Sequence, residues 1–463
     1  RYIGDWSSDV CSSDLKNILV IFFKLFFIKN VSADINKEVL DLKNEFKQIK
    51  EIYENKIEAL EAKIEKLENE KNQPQTQVTE KSDSHDSHDE HSEKGNFNIE
   101  AVLNGKYTSF SRSGEVAPKG FGVAHEGERG KEGLHIGESE LIMNADIGEK
   151  FSGSLTAALV NEDGADKIEL EEAYVESLDG SFLNNTYFKI GRAFWNIGAL
   201  NPQHAHADDF ADRPLPYRIF LNKSYNDDGI ETSYLLPGKN INEIGFGLFR
   251  GEDFPFGNST TEGQGSDAWS IYYKSAFGVS SNENIEFNLY HLSGTSPGLN
   301  ARVSNEDNVT FKGDSDLSVI SLGYENMYSA SAKLKLNAEY FYRNQQGTFE
   351  DSEESTGEIG FDDNDSGYYL ALVNQFNENL SSGFRYSKML AADTPTGLVD
   401  SALDSGGNDP EAYSLMSEWK FDSSAVFRVQ INHEKPQPNI VDNQLILQYI
   451  MYLGSGGHDG HDH

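Results

Sequence analysis

From Phe97 to Leu453 the chain is written with period two, and this limits its fold more than any other feature. In Lys333–Arg343, Leu334, Leu336, Ala338, Tyr340 and Tyr342 alternate with Lys333, Lys335, Asn337, Glu339 and Arg343. In Ala425–His433, Ala425, Phe427, Val429 and Ile431 alternate with Arg428, Gln430 and Asn432. In Gln444–Leu453, Leu445, Leu447, Tyr449, Met451 and Leu453 share one face, with Gln444 and Gln448 on the other. Segments of about ten residues, apolar on one face, suit a membrane barrel. A soluble sandwich alternates in the same way, so the period alone does not choose.

The connections choose. Sixteen strands are expected near 97–112, 133–147, 150–162, 167–178, 186–198, 229–237, 241–251 and 268–278, then 283–294, 314–327, 332–345, 367–376, 379–389, 411–421, 424–434 and 443–453. Each even strand reaches the next odd one through a short turn, such as "GEK", "PGKN", "NE" or "DSS". Most odd-to-even connections are long: 113–132, 199–228, 252–267, 295–313, 346–366 and 390–410. Short turns on one side and long loops on the other are the habit of outer-membrane barrels. The expected fold is therefore all-β, a 16-stranded antiparallel transmembrane β-barrel over 97–454, with an even strand count that places both barrel ends in the periplasm. Glu138 and Glu172 break the pattern, because they fall on faces assigned to lipid. Either the register changes there, or that wall meets another subunit.

Charge narrows the partners. With 39 Lys and Arg against 76 Asp and Glu, the net charge is −37. That excludes nucleic acid, whose phosphates require basic side chains, and favours cations near the surface or in a channel. Cys11 is the single cysteine, and it lies in residues 1–15, "RYIGDWSSDVCSSDL", which resemble a translated sequencing adapter and are set apart from the fold. The rest of the chain has no disulfide framework, Cys-ligated zinc site or thiol nucleophile.

Residues 16–33, "KNILVIFFKLFFIKNVSA", carry a basic start, an apolar core and a small-residue site, the pattern of a secretory signal peptide. Over 34–71, Val39, Leu42, Phe46, Ile49 and Tyr53, then Ile57, Leu60, Ile64 and Leu67, form a narrow heptad seam among Lys and Glu. A lone helix of this kind buries nothing by itself, so an α-helical periplasmic coiled coil is expected. It would be a rod of roughly 55 Å at about 1.5 Å per residue. Residues 72–96 form a His-, Asp- and Ser-rich tether with His85, His88 and His91, and residues 455–463 repeat that chemistry with His458, His461 and His463. Such tracts hold zinc, nickel or copper through imidazole and carboxylate, or serve as solvated spacers.

The longest connection contains "NPQHAHADDFADRPLPYR", Asn201 to Arg218, between the fifth and sixth expected strands. His204 and His206 are candidate ligands for a divalent ion, joined by one or two of Asp208, Asp209 and Asp212. Two other readings stay open: a charged ring that selects cations without binding them, and a loop folded on itself through hydrogen bonds. No cofactor is expected to be tightly bound; Zn²⁺ would be a transient visitor. No Ser–His pair supports hydrolase chemistry, so an enzyme is not expected.

The runs "GRAFWNIGALNPQHAHADDFADRPLPYRIFLNKSYNDDG", "EIGFGLFRGEDFPFG", "GDSDLSVISLGYE", "AEYFYRNQQG" and "LQYIMYLG" resemble Gram-negative outer-membrane proteins often labelled zinc-regulated TonB-dependent receptors. A coiled coil ahead of a barrel also resembles a group of siderophore-uptake porins. The resemblance implies uptake of zinc or a metal chelate. By analogy with general trimeric porins, the loop after the fifth strand would fold inward to line a constriction, and the assembly would be a homotrimer. Between Ala33 and Phe97 there is only a helix and a tether, with no TonB box and no segment long enough for a plug, so passive transport is expected rather than TonB coupling.

Overall fold

The computed structural model describes residues 97–454, apart from 115, 163–164, 179–182, 258–267, 302–308 and 353. The expected signal peptide, coiled coil, tether and C-terminal histidine tract lie outside the described residues.

The first wall is built from β1 (Phe97–Phe110), β2 (Gly133–Ile136), β3 (Ser139–Ile147), β4 (Phe151–Glu162) and β5 (Ala165–Ser177). The chain continues through β6 (Thr186–Phe194), β7 (Asn226–Leu235), β8 (Ile241–Phe249), β9 (Ala268–Ser280), β10 (Glu283–Ala301) and β11 (Val309–Ser329). It ends with β12 (Ala332–Asp351), β13 (Ile359–Gln375), β14 (Leu380–Leu390), β15 (Glu411–Asp422), β16 (Ala425–Gln437) and β17 (Ile440–Gly454). All neighbours are antiparallel, and β1 pairs with β17, so the sheet closes on itself. Both β2 and β3 pair with the same edge of β1. They are two halves of one stave, so the seventeen strands make a sixteen-stave closed barrel.

The outer face carries the apolar half of each alternation. On β15, Tyr413, Leu415 and Trp419 point out, while Ala412, Met416 and Glu418 point in. From Tyr413 to Phe421 the outward row covers roughly 27 Å at about 3.4 Å per residue, of the order of the ~25 Å apolar band of a membrane barrel. Tyr328, Phe376, Trp419 and Phe421 are exposed near the short turns, and Trp269, Tyr342 and Tyr413 towards the long loops. Aromatic rings at both rims suit the two interfaces of a bilayer.

Strand order and turn parity follow the expectation, but the lengths do not. Strands β10 to β13 run 19, 21, 20 and 17 residues. Much of 295–313 and 346–366, expected as loop, is ladder. Beyond the apolar band both faces meet polar surroundings, so alternation fades although the backbone pairing continues.

The two misplaced glutamates have a register explanation. Gly105 faces Ile136 but Val102 faces Glu140, so three steps on β1 oppose four on the other side. The extra residue sits at the β2/β3 break. Leu134 and Ile136 point out before it and Leu141 after it, which turns Glu140 inward, 3% exposed. A second bulge falls between Thr156 and Ala157 of β4, opposite Leu170 and Glu172. Ile168 and Leu170 face out, whereas Glu172 is buried. A bulge shifts the side-chain phase by one residue. Glu172 therefore does not face lipid, and Glu138 lies at the break itself.

Candidate functional site

Between β6 and β7 the chain leaves the wall and enters the barrel, with one short helix, α1 (Leu215–Phe220). Pro214 precedes the helix in an extended conformation and Pro216 sits in its first turn, where a missing N–H is harmless. Trp195, Ile197, Tyr217, Ile219, Phe220, Leu221 and Tyr225 are fully buried. They form one core with inward side chains of the wall, among them Tyr272, Leu292, Phe341, Tyr369 and Met389. Part of the lumen is thus dry protein, which fixes the loop against one side.

Polar contacts set its position. Asn201 clasps the base: its Nδ2 donates to Trp195 O (2.8 Å) and Tyr225 O (2.9 Å), and its Oδ1 accepts from Tyr225 N (2.6 Å). Glu339 of β12 accepts from Ala199 N (2.8 Å), the Tyr217 hydroxyl (2.8 Å) and the Tyr369 hydroxyl (2.7 Å). Gly198 makes the entry turn at φ +89°, and a Cβ there would run into the Tyr217 hydroxyl. Only glycine takes this conformation and this closeness without strain.

His204 and His206 lie on the opposite flank of the loop, facing β3 and β5. Glu140 bridges them: Oε1 is 2.9 Å from His206 Nδ1, and Oε2 is 3.1 Å from His204 Nδ1. His204 Nε2 is 2.9 Å from Glu172 Oε2, and its Nδ1 is 3.6 Å from Glu171 Oε2. The imidazoles stack at 5.6 Å with 24° between their planes. The bulge in β5 is what lets neighbouring residues, Glu171 and Glu172, both reach the same imidazole. One ligand atom each from Glu140, His204 and His206 falls within a mutual 4.8 Å, a set able to hold a metal ion. Glu140 Oε2 and Glu171 Oε2 are buried, and His204 Nδ1, at 3.1 and 3.6 Å, approaches them without making a well-aligned hydrogen bond. An unsatisfied buried carboxylate oxygen is costly unless a proton or cation visits it.

The electrostatics agree. Burial disfavours the charged form of His204, but its contacts with Glu140, Glu171 and Glu172 outweigh that and hold its pKa well above the ordinary value. The surrounding carboxylates therefore favour the protonated imidazole when no other cation is present. Imidazole nitrogens and carboxylate oxygens at these spacings suit zinc or a similar divalent ion, which takes N and O donors at about 2.0–2.2 Å.

The aspartates of the loop turn away from this cluster. Asp208 pairs with Arg213 at 2.9 Å within the loop. Asp209 pairs with Lys335 of β12 at 3.3 Å. Asp212 receives Arg385 of β14 (2.6 Å), Gln430 (2.5 Å) and Asn432 (2.8 Å) of β16. Sequence spacing offered these three as partners for the histidines; the structure makes Asp209 and Asp212 anchors to the far wall and ties Asp208 to Arg213 inside the loop. The carboxylates that do meet the histidines stand 32 and 66 residues away in sequence. Their one local signal was acids interrupting an apolar alternation, visible at Glu172 and at Glu138, two residues before Glu140.

No family model matches the chain. A curated protein of Aquifex aeolicus, named only as uncharacterized, is 24% identical over 359 residues, 73% of this chain and 72% of its own length. An anion-selective porin from Comamonas acidovorans superposes with a TM-score of 0.49 at 12% identity, over 78% of this chain and 100% of that one. The outer-membrane channel DcaP of Acinetobacter baumannii gives 0.48 at 12% identity, over 78% and 97%. OmpT of Vibrio cholerae in its trimer form gives 0.46 at 10% identity, over 78% and 99%. None of these four carries the zinc-regulated TonB-dependent label, which gains no support from them. The barrel described above rests on this chain's own strand pairing.

Proposed function

We propose that this chain is a porin-like channel of the outer membrane that admits zinc or a metal chelate, with Glu140, His204 and His206 as a transient cation site where the inward loop narrows the lumen. The closed barrel and its apolar outer belt support the membrane setting. One observation carries the metal reading: two bulges bring Glu140, Glu171 and Glu172 to the inner side, where the loop presents His204 and His206. A cation passing here meets ligands that replace part of its hydration shell, and the loose spacing keeps the stay short.

The test is single-channel conductance of the refolded protein in planar bilayers with zinc titrated in. Ohmic current blocked by low zinc, and unblocked in His204→Ala/His206→Ala, is the expected result. Current indifferent to zinc would leave a cation-preferring porin in which the cluster only steadies the loop. Absence of any current would favour a closed barrel that anchors a periplasmic rod.

A further inference from the structure

On the long-loop side of the inward loop lies a cavity of about 620 Å³. Its size is that of a small-molecule site. It is walled by β1, by the segment that joins β1 to β2, and by the inward loop. Ala205, between the two histidines, lines it, and so does Glu138 at the β2/β3 break. The cavity therefore reaches the chain neighbours of the cation cluster, while Glu140, His204 and His206 do not themselves line it.

Apart from Lys131, its lysines and arginines divide into two kinds. Arg129, Arg213 and Arg218 are each committed to a carboxylate: Asp442 at 2.7 Å, Asp208 at 2.9 Å and Glu434 at 2.8 Å. Lys106 and Lys223 are not. Lys106 Nζ donates to the Ala211 carbonyl at 2.8 Å. Among the described residues neither lysine has a carboxylate at ion-pair distance. An ammonium group among protein atoms with only a carbonyl for partner retains unspent capacity for an anion.

Lys223 is also placed by strain. It and Asn222 take left-handed backbone angles, φ 72° and φ 49°. Two contacts hold them there: Lys223 N donates to Tyr217 O at 3.0 Å, and Asn222 Oδ1 accepts from Gly127 N at 2.7 Å. Left-handed backbone is strained for a lysine, and such outliers cluster at binding sites. The net charge of −37 makes a pair of uncommitted ammonium groups in one cavity less expected still.

We infer that this cavity binds a small polycarboxylate through Lys106 and Lys223, so that the cargo is an anionic metal chelate whose oxyanion end docks here while its metal lies beside Glu140, His204 and His206. The chelate half rests on the function proposed above; the anion half stands without it. Glu126, Glu128, Glu132, Glu138 and Glu169 also line the cavity and would disfavour an anion carrying no cation, so the metal-loaded form should bind more tightly than the free one.

Calorimetry on the full-length refolded protein separates the two halves. The probes are citrate alone, zinc alone and zinc citrate. Citrate should bind the wild type, and Lys106→Gln and Lys223→Asn should each weaken it about tenfold, the loss of one charge-assisted contact. Gln keeps a donor for Ala211, and Asn tolerates the left-handed angle, so both variants should keep the wild-type heat-dependent gel mobility. His204→Ala/His206→Ala should leave citrate affinity unchanged and abolish zinc binding. Citrate that fails to bind, or binds the folded lysine variants as well as the wild type, overturns the anion site. If citrate binds through the lysines while zinc binds nowhere, the metal reading fails and the anion site stands. If zinc citrate binds no better than citrate, the chelate half is overturned.

Discussion

At the scale of single residues, His204 and Asp212 respond to pH in opposite directions. His204 has its folded pKa raised well above the ordinary ~6.5. Its ion pairs contribute fully below about pH 6.5 and are lost as pH rises through the folded value. Because a metal must displace that proton, zinc binding should release protons and tighten as pH rises. Calorimetry in buffers of different ionisation enthalpy reads the release directly. Asp212 is buried, which alone would raise its pKa, but the charges of Arg385 and Arg218 and the hydrogen bond from Gln430 hold it below the usual carboxylate value. Its contribution is complete above about pH 4 and is lost as pH falls through the folded value. Loop anchoring at this point should therefore persist at pH 5, and limited proteolysis of the loop should rise only in stronger acid. Glu140→Gln should weaken zinc at least tenfold, whereas Asp208→Asn should leave zinc affinity unchanged, because Glu140 touches both histidines and Asp208 pairs with Arg213 instead.

At the scale of elements, the bulge in β5 and the entry turn of the loop make separable predictions. Deleting Glu171 removes the extra residue and leaves Leu170 outward and Glu172 inward. The barrel should fold with zinc affinity lowered by the loss of one carboxylate and not abolished. Combining that deletion with Glu172→Gln, which keeps the phase of β5, should weaken it further, since Glu140 is then the one carboxylate left beside His204. Gly198→Ala sets a methyl against the Tyr217 hydroxyl at a positive φ, a strain of about 1–3 kcal/mol. Asn201→Ala breaks the clasp at the loop base, leaving buried backbone groups unpaired at a cost of about 1–3 kcal/mol. Both should raise protease cleavage within 199–224 while the strands stay protected, a pattern that mass spectrometry of the fragments would identify.

For the whole molecule, the barrel and its inward loop are different kinds of object. The staves are tied by a continuous backbone ladder that closes through β1 and β17. The loop is tied by side chains: a dry core and ion pairs to β12, β14 and β16, with the histidine–glutamate contacts to β3 and β5 on the opposite flank. Replacing residues 199–224 by a short turn should therefore leave a folded barrel with a lower melting temperature, a larger conductance and no zinc block. The homotrimer expected from the porin analogy is checked by analytical ultracentrifugation in density-matched detergent; a monomer there would remove that expectation.

The period-two pattern was enough to place sixteen staves, because water or protein on one side and hydrocarbon on the other force alternation wherever a strand crosses the belt. Turn parity then gave the long connection its side, and residue chemistry marked His204 and His206. What the histidines meet was not legible. A bulge adds one residue and reverses every side chain beyond it, yet it leaves no local mark apart from an acid on the phase of the lipid face. The aspartates beside the histidines were drawn off by Arg385 and Lys335, which only barrel closure brings near. Glu140, Glu171 and Glu172 took their place for the same reason. Local sequence determined which segments pair, because hydrophobic patterning is a property of neighbours in the chain. Tertiary structure alone decided which charges meet across the lumen, because that depends on the register summed around the whole ring.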